Sequence, residues 1–297
     1  MTMSKIIFGI DVGGTTCKCG TFSEEGELLR KEEIPTRKDE GGSLILPDIS
    51  EYIKGVLADM NMTTENVAGI GMGLPGACLE DGTVNKCINL GWGVFNAANA
   101  LSELTGIPVK IGNDANMAAL GEFCVGGGVI IDGKPLYGFN GAAGEIGHLP
   151  LVEGETESCN CGKKGCLEQV ASATGIVRTA NRMLAESDMP SSLRSVPYIS
   201  AKVIFDEAKG GDALAIQVTE YVCRYLGKGL ACAAGMVDPE VFVIGGGVSA
   251  AGEYFINLID KYYKECVFHA SRQTKIVKAA LGNDAGMYGA AKLILGN

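Results

Sequence analysis

Apolar positions in this chain gather into short β-branched runs that stop at glycine. The first run, Ile6-Ile7-Phe8-Gly9-Ile10, ends in Asp11-Val12-Gly13-Gly14-Thr15-Thr16. Residues 16–22 continue extended, 23–26 carry turn chemistry and 27–34 resume, so the opening predicts a β-hairpin with a glycine-rich first turn. A helical period follows at about 49–60, and a buried strand over 67–72 runs into Gly73-Leu74-Pro75-Gly76. In the middle, Val125-Gly126-Gly127-Gly128 leads to Val129-Ile130-Ile131, a turn at Asp132-Gly133 and an extended stretch from Lys134. A strand over 241–244 closes on Gly245-Gly246-Gly247, and helical patterns occupy 174–186, 201–209 and 213–234. Strands alternating with helices predict an α/β protein, and two similar hairpin starts point to two related halves.

Length and charge narrow the functional classes. At 297 residues and 46% hydrophobic content, the chain can fill the cores of two ordinary domains. Its 43 glycines follow no three-residue period, so they are loop glycines rather than a fibrous repeat. A formal net charge of −10 argues against binding nucleic acid or an anionic membrane surface, both of which draw on clustered Lys and Arg. The first apolar run is too short for a signal-peptide core and no run reaches membrane-spanning length. A cytoplasmic protein is expected, with its 11 cysteines reduced and serving as apolar fillers or metal ligands.

Three glycine turns carry the first candidate chemistry. A strand ending in Asp11 and then Gly13, Gly14 and Thr15 lets backbone N–H groups and a hydroxyl approach phosphate oxygens, with Asp11 on the Mg²⁺ side. An ordinary tight turn explains the same residues. Gly126, Gly127, Gly128 and Gly245, Gly246, Gly247 are each a bland bend alone, but together they fit the phosphate tail and adenosine of one nucleotide. None matches a Walker loop or G-x-G-x-x-G, which leaves the actin-like kinase architecture for binding ATP. Asp114 follows Asn113 at a strand-to-helix corner. It serves either as a helix cap or as the base that takes a proton from a sugar hydroxyl during phosphoryl transfer. Cys159, Cys161 and Cys166 in a C-x-C-x4-C pattern, with His148 upstream, make a Cys₃His set suited to structural Zn²⁺.

Taken together these stretches resemble the ROK family of sugar kinases and repressors, most closely its Firmicutes-type glucokinases. The resemblance rests on Gly9-Ile10-Asp11-Val12-Gly13-Gly14-Thr15, Asn89-Leu90-Gly91-Trp92, Gly112-Asn113-Asp114-Ala115-Asn116, Gly144-Glu145-Ile146-Gly147-His148, the cysteine segment through Glu168, residues 243–248 and Leu281-Gly282-Asn283-Asp284-Ala285-Gly286. It implies two actin-like (RNase H-like) domains with a sugar and ATP cleft between them, divided as 1–113 with 285–297 and 114–284. It also implies Asp114 as general base, with Asn113, Glu145, His148 and Glu168 on sugar hydroxyls, and a homodimer. Glucose is the expected substrate; fructose, mannose and N-acetylmannosamine are the alternatives. A repressor of the family would carry a winged helix-turn-helix ahead of the first strand; with that strand opening at Ile6 and the net charge acidic, a kinase is the expectation.

One departure from the family pattern lies where Gly121-Glu122-Phe123-Cys124 passes straight into Val125-Gly126-Gly127-Gly128. The family carries an additional strand and loop there, with a Leu-Gly-Thr-Gly run. The shortening predicts a second domain without one central strand and part of the phosphate cradle. A sugar-binding sensor without turnover is the alternative function that this departure raises.

Overall fold

A computed structural model of the chain describes residues 5–121 and 127–296. The junction at 122–125 and the sequence-predicted phosphate residue Gly126 lie outside the described residues. In chain order the elements are β1 (Ile6–Val12), β2 (Thr16–Ser23), β3 (Leu28–Pro35), α1 (Ile45–Asp59), β4 (Val67–Leu74), β5 (Thr83–Cys87), β6 (Trp92–Asn96), α2 (Ala97–Thr105), β7 (Val109–Asn113) and α3 (Asp114–Gly121). There follow β8 (Ile130–Ile131), β9 (Lys134–Pro135), α4 (Glu168–Ala171), α5 (Ala173–Glu186), α6 (Ala201–Lys209), α7 (Ala213–Val237), β10 (Val241–Ile244), α8 (Glu253–Cys266), β11 (Lys275–Lys278) and α9 (Ala285–Leu295). No helix among the described residues is long and apolar enough to cross a membrane.

The chain divides into two compact units, Met1–Gly144 with Asn283–Asn297 and Glu145–Gly282. The division falls about thirty residues later than the sequence expectation at 113/114, and the reason is packing. Helix α3 lies along α9, and the short β8–β9 hairpin packs on α3, which holds both in the first unit.

The first unit is built on a five-stranded sheet in the order β3-β2-β1-β4-β7. The first three strands run antiparallel, while β4 and β7 run parallel to β1. Alternation along β1 decides which layer covers which face. Ile6, Phe8, Ile10 and Val12 point to one side and join Ile45, Ile49, Ile53 and Val56 of α1 and Leu101 of α2 in the main core. Ile7 points to the other side with Phe22, Met287 and Ala291.

Glycine makes that second face thin enough for a helix backbone to lie on it. A Cβ at Gly71 would sit 1.7 Å from the Ala290 carbonyl oxygen, and one at Gly9 2.3 Å from that of Met287. Helix α9 therefore packs directly on β1 and β4.

The second unit is mainly helical. Ile176 of α5, Ile204 and Phe205 of α6, Val218 and Leu226 of α7, and Phe255 and Ile259 of α8 form its core with Phe242 and Ile244 of β10. Strands β10 and β11 pair in parallel as a two-stranded sheet. That is the only ladder of the unit among the described residues.

Candidate functional site

Asp11 stands at the end of β1, opposite Lys18 of β2 in the antiparallel register. The turn between them closes with the Gly13 N–H donating to the Thr16 carbonyl at 3.0 Å. Gly14 and Thr15 are exposed, and a Cβ at Gly14 would meet nothing of the protein within 4 Å, so the loop leaves open space beside its backbone. Burial raises the Asp11 pKa above the usual carboxylate value; the nearby Lys18 opposes that rise and Asp284 adds to it. Gly286, near the start of α9, is the close neighbour of this carboxylate, since a Cβ there would lie 2.6 Å from its Cγ and Oδ2.

Two residues of this corner escaped the sequence reading. Thr36, just after β3, donates its hydroxyl to the Gly13 carbonyl at 2.8 Å, and its N–H to the Thr15 carbonyl at 2.9 Å. It thereby pins both ends of the loop 13–15. Lys31 of β3 reaches Asp284 at 2.7 Å and anchors the turn that leads into α9. Only the β2–β3 pairing brings these residues to the loop, so no local signal marks them.

At the end of β7, the capping role that sequence offered for Asp114 falls on its neighbour. The Asn113 side-chain oxygen accepts from the N–H groups of Ala115 at 2.9 Å and Asn116 at 3.2 Å, and its amide nitrogen donates to the Gly76 carbonyl at 3.1 Å. Asp114, half-buried, is the first residue of α3 and accepts from the Ala115 N–H at 2.8 Å. The cap therefore holds Asp114 in place at the corner. One of the two Asn113 amide hydrogens is used on Gly76.

Gly127 and Gly128 fall in the first unit, ahead of a β8–β9 hairpin whose turn residues Asp132 and Gly133 both have positive φ. That is the conformation a two-residue hairpin loop demands. Gly245, Gly246 and Gly247 close β10 in the second unit. There Ser249 folds its N–H and hydroxyl back onto the Gly246 carbonyl, at 3.0 and 2.8 Å.

The second unit gathers the histidine and the three cysteines. His148 ends a single 3₁₀ turn, Ile146–His148, and the cysteines follow on a loop bent at Gly162 and Gly165, both with positive φ. The His148, Cys159, Cys161 and Cys166 ligand atoms all lie within 4.8 Å of one another. Cys161 and Cys166 sulfurs are 3.5 Å apart, and Cys159 Sγ is 3.7 Å from His148 Nδ1. Tetrahedral zinc with Zn–S bonds of about 2.3 Å needs sulfurs about 3.8 Å apart, so the set fits that ion.

Glu168, at the start of α4, borders the cluster. Its Oε1 lies 2.7 Å from Cys159 Sγ and 3.7 Å from His148 Nδ1. Burial raises the Glu145 pKa, His148 lowers it and Glu168 raises it again, so these three polar groups share one neighbourhood.

The ROK family matches residues 7–297, and the chain belongs to that family. It is 38% identical to the glucokinase of Halalkalibacterium halodurans, over 96% of this chain and 94% of that protein. Among solved structures it is similar to a ROK family glucokinase from Streptomyces griseus in complex with glucose and AMPPNP, with 30% identity, a TM-score of 0.74 and coverage of 97% of this chain and 98% of that one. The ROK hexokinase from Thermus thermophilus gives 30% identity and a TM-score of 0.78, with 96% of each chain covered. The fold is thus the actin-like one that the sequence implied. The alignment to the Halalkalibacterium protein runs over 309 positions, more than the 297 residues present here, so that relative carries residues with no counterpart in this chain.

Proposed function

We propose that this chain transfers the γ-phosphoryl group of ATP to a hydroxyl of glucose. The observation that carries the reading is its near full-length similarity to a glucokinase solved with glucose and AMPPNP. Asp114 acts as general base. As the sugar oxygen bonds to the γ-phosphorus, the bond to the β–γ bridging oxygen breaks, ADP leaves and the hydroxyl proton passes to the Asp114 carboxylate. The cap made by Asn113 supports this role by fixing the corner from which Asp114 projects. Asn113, Glu145, His148 and Glu168 bind sugar hydroxyls, whose donors and acceptors suit amide, carboxylate and imidazole.

Asp11, Gly13, Gly14 and Thr15 serve the phosphates, with Gly127, Gly128, Gly245, Gly246 and Gly247 as further nucleotide contacts. Mg²⁺ would be held on the Asp11 side, where it would neutralise phosphate charge. Zinc on His148, Cys159, Cys161 and Cys166 is structural and shapes the segment that carries Glu168. A cytoplasmic homodimer is the proposed working form.

The test is a coupled assay with ATP and Mg²⁺ across glucose, fructose, mannose and N-acetylmannosamine, on protein of verified intact mass. Turnover with glucose at the highest kcat/KM is expected. Calorimetric glucose binding without any turnover would overturn the kinase reading and leave a sugar sensor.

A further inference from the structure

Beside the cysteine loop stands a buried amide whose polar contacts among the described residues go to that loop or its base. Gln169, only 8% exposed, is the second residue of α4. Its Oε1 accepts two backbone hydrogen bonds, from Gly165 N–H at 2.8 Å and Cys166 N–H at 3.1 Å. Its Nε2 donates to the Glu157 carbonyl at 3.0 Å. Glu157 precedes the first thiol by two residues, and Cys166 is the last thiol. One side chain therefore ties the entry of the loop to its exit.

The ring of contacts closes through Arg178 of α5. Its guanidinium donates to the Gln169 carbonyl at 2.9 Å, to Glu157 Oε2 at 2.7 Å and to Glu155 Oε2. Arg178 thus fixes both the residue that ties the loop and the strand of chain that is tied.

We infer that Gln169 is a positioning residue for the metal: by joining Glu157 to Gly165 and Cys166 it holds Cys159, Cys161 and Cys166 convergent before the ion arrives. The inference rests on the zinc reading above and deepens it. Three thiolates repel one another, and a loop free to open loses conformational entropy again whenever metal closes it. A donor and an acceptor at one carbon, on a side chain of this length, are both needed. Met matches the length and offers neither; Glu keeps the acceptor and loses the donor. Outer-shell partners of this kind typically contribute about 10- to 100-fold in metal affinity.

The experiment measures zinc affinity of the full chain by chelator competition, for wild type and Gln169→Met, together with denaturant unfolding of both metal-stripped proteins. Gln169→Met is expected to weaken zinc about 10- to 100-fold while the apo unfolding midpoint moves little, because the loop of the variant opens locally without unfolding the helices. Co²⁺ substitution should give a weaker thiolate charge-transfer band in the variant at equal metal. A zinc affinity within about twofold of wild type would overturn the inference, even if both apo and zinc forms had lost stability equally. Should Gln169→Met fail to fold, Gln169→Glu carries the same test against the same twofold limit. Wild-type protein that binds neither Zn²⁺ nor Co²⁺ overturns the metal reading itself, and the inference with it; that outcome is separate from a wild type that binds zinc beside an unaffected variant.

Discussion

Gly286→Ala is expected to damage nucleotide handling far more than stability. The added methyl would stand 2.6 Å from Asp11 Cγ and 3.0 Å from Oδ1. Ordinary carbon contacts lie at about 3.5–4.0 Å, so relief needs a movement of about 1 Å. Two groups can move, the helix or the carboxylate. Helix α9 rests by its backbone on Gly9 and Gly71, and Met287 and Ala291 are packed with Ile7 and Phe22. Lifting it would loosen all of these contacts, whereas turning the Asp11 side chain disturbs one residue.

The magnitudes then separate the two effects. Overpacking a filled site costs about 1–3 kcal/mol, and Gly→Ala inside a helix returns up to about 1 kcal/mol. Net destabilisation should therefore be about 0–3 kcal/mol. Displacing Asp11 by about 1 Å from the phosphate side should raise KM for MgATP at least about 10-fold. The assay is steady-state kinetics over an ATP series, with thermal unfolding of the same preparation. Gly71→Ala is the control, because its methyl would meet the Ala290 carbonyl oxygen at 1.7 Å and touches no part of Asp11. It should lower Tm sharply, and any protein that stays folded should keep a normal KM for ATP. A Gly286→Ala variant with unchanged KM and kcat would refute the placement of Asp11 at the phosphates.

Three further outcomes follow from the same geometry. Asp114→Asn should lower kcat by about 10²- to 10⁴-fold with glucose affinity by calorimetry largely kept, since an amide preserves the shape and cannot take the proton; near wild-type kcat would remove Asp114 from the mechanism. Burial raises the Asp11 pKa, so the folded chain holds that proton more tightly than the unfolded one, and stability falls as pH rises from the ordinary carboxylate value through the raised one. Asp11→Asn should accordingly unfold later than wild type at pH 7, with the gain shrinking toward acid pH and MgATP binding lost; a gain that persists unchanged in acid contradicts the burial argument. Purified protein should contain near-stoichiometric zinc, and stripping it or making Cys161→Ser should lower Tm by at least about 5 °C; calorimetry and elemental analysis check both.

Where a feature is local, it was legible in the sequence. The strand over 241–244 and the helix over 201–209 coincide with β10 and α6, and the Asp132-Gly133 turn adopts the two positive-φ residues that its dipeptide demands. The C-x-C-x4-C spacing likewise leads to four ligand atoms in mutual reach, because Gly162 and Gly165 let the loop bend within a few residues. Other features depend on pairing across the chain. Thr36 reaches Gly13 only through the β2–β3 register, and Gln169 works on Glu157 twelve residues upstream. The β5–β6 hairpin pairs two five-residue strands, Thr83–Cys87 and Trp92–Asn96, across a 3₁₀ turn, and strands this short carry little alternation of their own. Helix α9 is an extreme case: beside Met287 and Ala291 it rests its backbone on Gly9 and Gly71, and a missing side chain is displayed by no hydrophobic pattern.

The two-stranded sheet of the second unit is exposed on one side and closed on the other. Strands β10 and β11 leave Val241 and Val277 more than a third exposed, as strands do when a ladder lacks neighbours. Yet the inner face of this pair is closed: Phe242 packs edge-on against Tyr263 of α8, and Phe205 of α6 against Phe255. Edge-to-face rings of this kind contribute about 0.5–1.5 kcal/mol beyond their buried area. Tyr263 also donates its hydroxyl to the Ser271 carbonyl at 2.7 Å, which fixes the connection between α8 and β11. The core of the second unit therefore rests on helices α5–α8 rather than on its sheet, and those helices are intact. If the segment at 122–125 lacks the strand that the family pattern carries, the effect bears first on the Gly245, Gly246 and Gly247 turn at the end of β10, whose position the sheet sets, and only secondarily on whether the unit folds. Turnover and nucleotide affinity, rather than melting temperature, are the quantities in which the shortening should register.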